Sequence, residues 1–343
     1  MKRPIFTRRA TIGALAGLAV LSGLVAPTLA AAEKITIGAL RFTSHSPTFI
    51  AYEKGYFKEE GLDVELKFFQ AAQPIAVAIA SGDIDFGVTA LSGGFYSLAD
   101  KGALKVIGGM MSEKKGAPGM TILASNKAYE AGLKTPADLK GKSWAMTQQG
   151  SSFHYMAGLI AENNGFTIKD MKLKPLQKVG SMIGALKSGQ VDAMAMVPHI
   201  AAALARGGAA KIIGKIQDIS DYQVTTIFTS TKNTTDNRDV VKRFLRAYAK
   251  GIADYDAVMQ HQDKDPAATE AMVDLIHKYV YASRPREKAA PSIKAGAVYL
   301  NEGAALDVAD IARQLAWFQK NKLAPASLTI DKMVDASFVK TIK

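Results

Sequence analysis

The stretch IAVAIASGDIDFGVTA, Ile75 to Ala90, returns 107 residues later as MIGALKSGQVDAMAMV, Met182 to Val197. In both, a helix-forming run ends at Ser-Gly, an Ile or Val and then an Asp follow, and a strand of small residues begins. Gly82 and Gly189 stand where a helix C-cap favours positive φ. Upstream the order repeats as well, because KEEGLDVELKFF and ENNGFTIKDMKLKPL each pass from a helix end through Gly61 or Gly165 into a strand. A period this long is not that of a solenoid, whose units run to roughly 20 to 50 residues. It is the spacing of two lobes of similar build.

From Lys34 short apolar strands alternate with amphipathic stretches: KITIGALRF, PTFIAYEKGYF, LDVELKFF, PIAVAIAS, IDFGVTA. That alternation predicts βαβ units and a parallel-rich sheet, hence an α/β fold. Apolar strands over 121–125 and 225–230 are flanked by Gly, Pro and polar residues, in KKGAPGMTILAS and TTIFTSTKN. They serve as the entry to and exit from the second lobe. Residues 32–119 plus 230–343 then form lobe 1 and residues 120–229 form lobe 2, with hinges at 119–121 and 230–232. The tail from Asp236 is helical, since VVKRFLRAYAKGIADY and VADIARQLAWFQKN carry apolar residues at helical spacing.

The start of the chain belongs to neither lobe. MKRPIFTRR is basic, IGALAGLAVLSGLVA is apolar, and PTLAAAE supplies small residues before the first acid. This is the pattern of a secretory signal peptide over 1–31, cleaved near Ala30 and directing the chain to the periplasm. Arg8-Arg9 also fits a twin-arginine signal, so the sequence leaves the Sec and twin-arginine routes both open. The apolar run is shorter than the roughly 20 residues of a membrane-spanning helix. Export places the chain in an oxidising space, yet it has no cysteine, which excludes disulfides, thiolate metal sites and a cysteine nucleophile. The net charge of +12 falls to +8 without the leader's four basic residues, and the lysines are dispersed. Without a basic stripe, no nucleic-acid partner is expected.

Ligands of open α/β sheets bind beyond the carboxyl ends of the strands. In the first lobe those positions hold TSHSPT (43–48), QAAQ (70–73) and TALSGG (89–94); in the second they hold TQQGSSFH and MVPH. Hydroxyls and amides dominate and there is no acid, which suits a neutral or anionic small molecule. The helix expected after Gly150 leaves its first N–H groups unpaired, Ser151 or Ser152 is a good N-cap, and the dipole places positive charge there. Such an end seats an anion or simply faces water. The candidate ligand-binding residues are His45, Ser46, Thr48, Gln73, Thr89, Ser92, Gln148, Gly150, Ser151, Ser152, His154, Met196 and His199. No catalytic residue, metal site or cofactor is assigned. GSSFH is comparable with the Gly-x-Ser-x-Gly elbow of serine hydrolases, but His154 replaces the second glycine. His45, His154 and His199 lack the i, i+4 spacing of a zinc motif.

AYEKGYFKEEGLDVEL, SGDIDFGVT, DLKGKSWAM, GSSFHY and SGQVDAMAMVPHI, in this order and spacing, resemble the periplasmic substrate-binding proteins of ABC importers for nitrate, sulfonates, taurine and pyrimidine precursors of thiamine. The resemblance implies a type II periplasmic binding protein fold: two βαβ lobes, two crossovers and a helical tail that closes over one solute. It also implies a monomer serving a membrane permease and its ATPase, without catalysis of its own. Many members carry Trp-Glu-Pro where this chain has Met196-Val197-Pro198. His45 sits where pyrimidine-precursor binders tend to carry histidine, but their Trp-x-Pro-Asn is replaced by RFTSHS. The GSS loop that sulfonate binders use is intact. The resemblance therefore implies a small organic anion such as a sulfonate, a taurine-like compound or nitrate, with a pyrimidine or other heterocycle as the alternative. The related pyrimidine synthases of yeast need a cysteine-rich motif that this chain lacks.

Overall fold

A computed structural model describes residues 32–342, so the expected leader lies outside the described residues. No helix among the described residues is long and apolar enough to cross a membrane.

Among the described residues ten strands form two five-stranded sheets of the same plan. The first contains β1 (Glu33–Ala39), β2 (Leu62–Phe68), β3 (Phe86–Thr89), β4 (Leu104–Gly109) and β10 (Thr226–Ser230), ordered β2-β1-β3-β10-β4. The second contains β5 (Thr121–Ala124), β6 (Ser143–Met146), β7 (Lys172–Pro175), β8 (Ala193–Met196) and β9 (Lys211–Lys215), ordered β7-β6-β8-β5-β9. In the first sheet β1, β2 and β3 run parallel and β10 is inserted antiparallel; in the second β6, β7 and β8 run parallel and β5 is inserted antiparallel. Strands β3, β5, β6 and β8 are buried along their whole length, as expected of sheets covered on both faces. Strand β7 is an edge, and its lysines and Pro175 suit a position without a partner on one side.

The helices of eight or more residues are α1 (Ser46–Glu53), α2 (Ala72–Ala80), α3 (Gly93–Asp100), α4 (Ser152–Asn163), α5 (Val179–Lys187) and α6 (Pro198–Arg206) in the two sheets' crossovers. The tail adds α7 (Arg238–Met259), α8 (Pro266–His277), α9 (Arg286–Ala295) and α10 (Val308–Lys320). A shift of 107 residues carries α2 onto α5 and β3 onto β8 without a gap. Gly82 and Gly189, at φ +82° and +70°, end the two equivalent helices.

The structure corrects the expected exit from the second lobe. Strand β10 hydrogen-bonds between β3 and β4 in the first sheet, so the return crossing precedes it, over 216–225, rather than following it at 230–232. The outward crossing runs over 110–120. The tail does not rejoin the first lobe alone. Phe318 of α10 packs on Tyr96 with ring centroids 4.7 Å apart, while Trp317 beside it packs on Tyr155 of α4 at 5.2 Å. Gly158 of α4 lies flat against the same indole; a methyl there would stand 2.2 Å from Trp317. Asp310 of α10 accepts the Gln223 N–H and the Gln314 amide, which ties the tail to the return crossing.

Candidate functional site

The carboxyl ends of both sheets meet across a closed cleft. Gly93 N–H, opening α3, donates to Gly150 O at 2.8 Å, and Gln148 Nε2 donates to Gln73 Oε1 at 2.7 Å. On the opposite side Thr43 Oγ1 lies 3.0 Å from His199 Nδ1 and donates to Gly296 O at 2.9 Å. With its single proton on Gly296, Thr43 accepts from His199, so His199 carries its proton on Nδ1.

Between these contacts lies a cavity of about 40 Å³. Its polar lining is Ser44 and His45 ahead of α1, Thr89 at the end of β3, Thr147, Ser151 and Ser152 between β6 and α4, and Thr225 before β10. Its apolar wall comes from Leu40, Phe42, Met111, Met120, Phe153 and Val224, with Ala71, Ala72, Ala90, Val179 and Val197 at helix starts and strand ends. No lining residue is charged at neutral pH, once His45 is counted. Burial pushes the His45 imidazole down to about 3, so the ring is neutral.

Four helices begin at this cavity. Ala72 is the first residue of α2 and Val179 the first of α5, and neither helix has a side-chain cap. Helix α6 starts one residue after Val197. Helix α4 starts at Ser152, capped by Ser151, whose Oγ accepts the His154 N–H at 3.3 Å. Converging N-termini place unpaired N–H groups and partial positive charge around one point. His45 adds a side-chain donor. The Leu40 N–H donates to its Nδ1 at 3.3 Å, which leaves the proton on Nε2, and this buried Nε2 has no partner. The residue is 1 % exposed.

Of the residues singled out from the sequence, His45, Thr89, Ser151 and Ser152 line the cavity. The others are placed elsewhere. Gln73 and Gln148 bond to each other, and Ser92 caps α3 through the Phe95 N–H. Gly150 gives its N–H to His154 Nδ1 at 3.1 Å and its carbonyl to Gly93, so neither group is left for a solute. His154, with that bond and its ring edge-on to Trp317, is not arranged as a base for Ser152. Ser46 and Thr48 are buried in the first turn of α1, outside the cavity lining, and Met196 is buried at the end of β8. His199 spans the cleft to Thr43. Among the described residues no group of three His, Asp or Glu side chains could hold a metal.

The sequence reading passed over Val179 and the crossover residues Met111, Met120, Val224 and Thr225. For Val179 the internal offset contains the missing signal; the crossover residues carry none. Shifted by 107, Leu40, Ser44, His45, Ala72 and Ala90 fall on Thr147, Ser151, Ser152, Val179 and Val197, and all ten line the cavity.

Residues 42–264 match the NMT1/THI5-like family. The chain belongs to that family. It is 26% identical over 314 residues to the "Putative aliphatic sulfonates-binding protein" of Bacillus subtilis, which covers 90% of this chain and 87% of that protein. Among solved structures it is similar to the alkanesulfonate-binding protein SsuA from Xanthomonas axonopodis pv. citri bound to MOPS, with a TM-score of 0.71, 19% identity and coverage of 90% of this chain and 100% of the other. The periplasmic nitrate-binding protein NrtA from Synechocystis PCC 6803 also superposes with a TM-score of 0.71, at 15% identity over 88% and 86% of the two chains. The fold is that of type II periplasmic binding proteins.

Proposed function

We propose that this NMT1/THI5-like protein is exported to the periplasm, captures a short aliphatic sulfonate or taurine-like anion and presents it to an ABC permease and its ATPase. The observation that carries this reading is the set of helix N-termini meeting at a cavity with no charged side chain. Backbone N–H groups, the hydroxyls of Ser44, Thr89, Ser151 and Ser152, and the His45 Nε2–H can surround an oxyanion without a salt bridge. The apolar wall from Met111 to Val224 suits a short alkyl chain. Size points the same way, because the closed cavity is small, about 40 Å³. A substituted pyrimidine would need the lobes further apart. Residues 32–112 with 226–342, and 113–225, are the natural rigid halves, hinged at the two crossings.

Thermal unfolding of the purified protein with methanesulfonate, ethanesulfonate, taurine, nitrate and a hydroxymethylpyrimidine tests this. A ligand at 100 times its Kd adds about 2.7 kcal/mol of stability, so a binding sulfonate raises Tm by several degrees. Stabilisation by the pyrimidine alone would reject the anion.

A further inference from the structure

Two buried side-chain oxygens at the hinge, Glu113 Oε2 and Gln217 Oε1, lie beside Gly119, and neither has a hydrogen-bond partner. Glu113 lies on the outward crossing and is 3 % exposed. Its N–H donates to Tyr222 O on the return crossing at 2.7 Å, and its Oε1 accepts the Met120 N–H at 2.8 Å. One residue thus touches both strands of the hinge. No hydrogen-bond partner within normal geometry stands on its Oε2 or on Gln217 Oε1 of the return crossing, although the Gln217 backbone N–H faces the carboxyl. Both oxygens crowd the same point beside Gly119. A methyl on Gly119 would stand 2.2 Å from Glu113 Oε2 and 2.9 Å from Gln217 Oε1. Buried polar atoms are almost always paired, and a proton on Glu113 Oε2 would pair these two neighbouring acceptors.

We infer that Glu113 is protonated in the closed form and donates through Oε2 to Gln217 Oε1, so that a single proton fastens the two hinge crossings and couples lobe closure to pH. The surroundings favour the neutral acid. None of the ion pairs among the described residues includes Glu113. The charge that bears on it is the Asp218 carboxylate, and the Tyr222 phenol is the other titratable group beside it. Burial pushes its carboxyl up to about 7, Asp218 adds to that, and the N–H groups of Met120 and Gln217 oppose it. An opening that parts the Glu113 and Gln217 side chains would return the carboxyl toward the ordinary range. A group whose pKa is raised in one state stabilises that state fully below its ordinary pKa and loses the effect as pH rises through the raised value. Closure is therefore favoured as pH falls from about 7 toward the ordinary carboxylate range, by up to tenfold per pH unit for one proton, and is level above about 7.

Small-angle X-ray scattering of the purified protein and of Glu113→Gln, at pH 5.5 and 8.0, reads the closure. Gln offers an N–H to Gln217 at every pH. The wild type should be compact at pH 5.5 and expanded at 8.0, while Glu113→Gln should stay compact at both. Denaturant unfolding of both proteins over the same range reads the proton itself: the wild type should lose stability relative to Glu113→Gln as pH rises toward 7. If the Gln217 amide instead turns its Nε2–H toward an ionised Glu113, neither measurement shifts with pH and the inference fails. A pH-dependent stability gap with an unchanged radius would remove the coupling to closure and overturn it as well.

Discussion

Because Leu40 N–H holds His45 Nδ1 as an acceptor, the ring can meet a solute only as an Nε2–H donor. Hydrogen bonds to charged groups are worth about 1.5–3 kcal/mol, so His45→Ala should weaken ethanesulfonate binding by about ten- to a hundredfold in calorimetric titration. An unchanged Kd would take His45 out of the site. The same neutrality has a cost in acid. Burial holds His45 and His199 down at about 3 and His154 at about 4, and His45 further lowers His199. In the unfolded chain each would take up a proton below about 6.5. Their folded pKa values are depressed below the unfolded one, so the unfolded state binds more protons and stability falls as pH drops below about 6.5. Each contributes up to about 1.4 kcal/mol per pH unit. Urea midpoints at pH 7 and pH 5 should show this loss, and His199→Asn should reduce it. A midpoint that holds steady between these values would mean that the rings are reached by protons in the folded protein.

The elements were more legible than their contacts. The 107-residue echo implied two βαβ units, and α2, β3, α5 and β8 fall where it puts them because helix stop and strand start are written locally in Ser-Gly and the apolar run. The side of the hinge on which strand β10 lies is not legible locally, because insertion antiparallel between β3 and β4 is a long-range pairing with no local mark. The joint at Gly150 shows the same limit. Its sequence marks a helix start, but the backbone of the other lobe takes its carbonyl. Gly150 sits at φ +75°, and a methyl there would lie 3.3 Å from Gly93 N; a methyl on Gly93 would lie 3.0 Å from Leu323 O. Two glycines let two lobes touch through their backbones. Gly93→Val should therefore hold the cleft ajar and speed solute release in stopped-flow measurements, with little change in overall stability. Gly158→Ala, forced into Trp317, should instead destabilise the fold by about 1–3 kcal/mol. If Gly93→Val left the release rate untouched, the Gly93–Gly150 contact would have no part in retention.

Closure here is a sum of contacts on both flanks of the cavity: Gly93 with Gly150 and Gln73 with Gln148 on one side, Thr43 with His199 on the other, and α10 spanning the two lobes through Trp317 and Phe318. None of these contacts involves a solute, so part of the free energy of closure belongs to the protein itself. A solute then shifts an equilibrium only by its preference for the closed state. Its donors exist in full only there, because α2 belongs to the first sheet and α4, α5 and α6 to the second. The absence of native cysteine makes this measurable without background. Spin labels on Gln73→Cys/Gln148→Cys lie at the cleft mouth, where the wild-type side chains meet. Distance measurements between them should give two populations in the free protein, the shorter one growing with ethanesulfonate in proportion to site occupancy. The labels remove the Gln73–Gln148 bond, so the free protein should be more open than the wild type, which scattering can check independently. A single short distance at every concentration would mean that the lobes are locked and admit solute without opening. A single long distance even at saturation would mean that the solute does not close them.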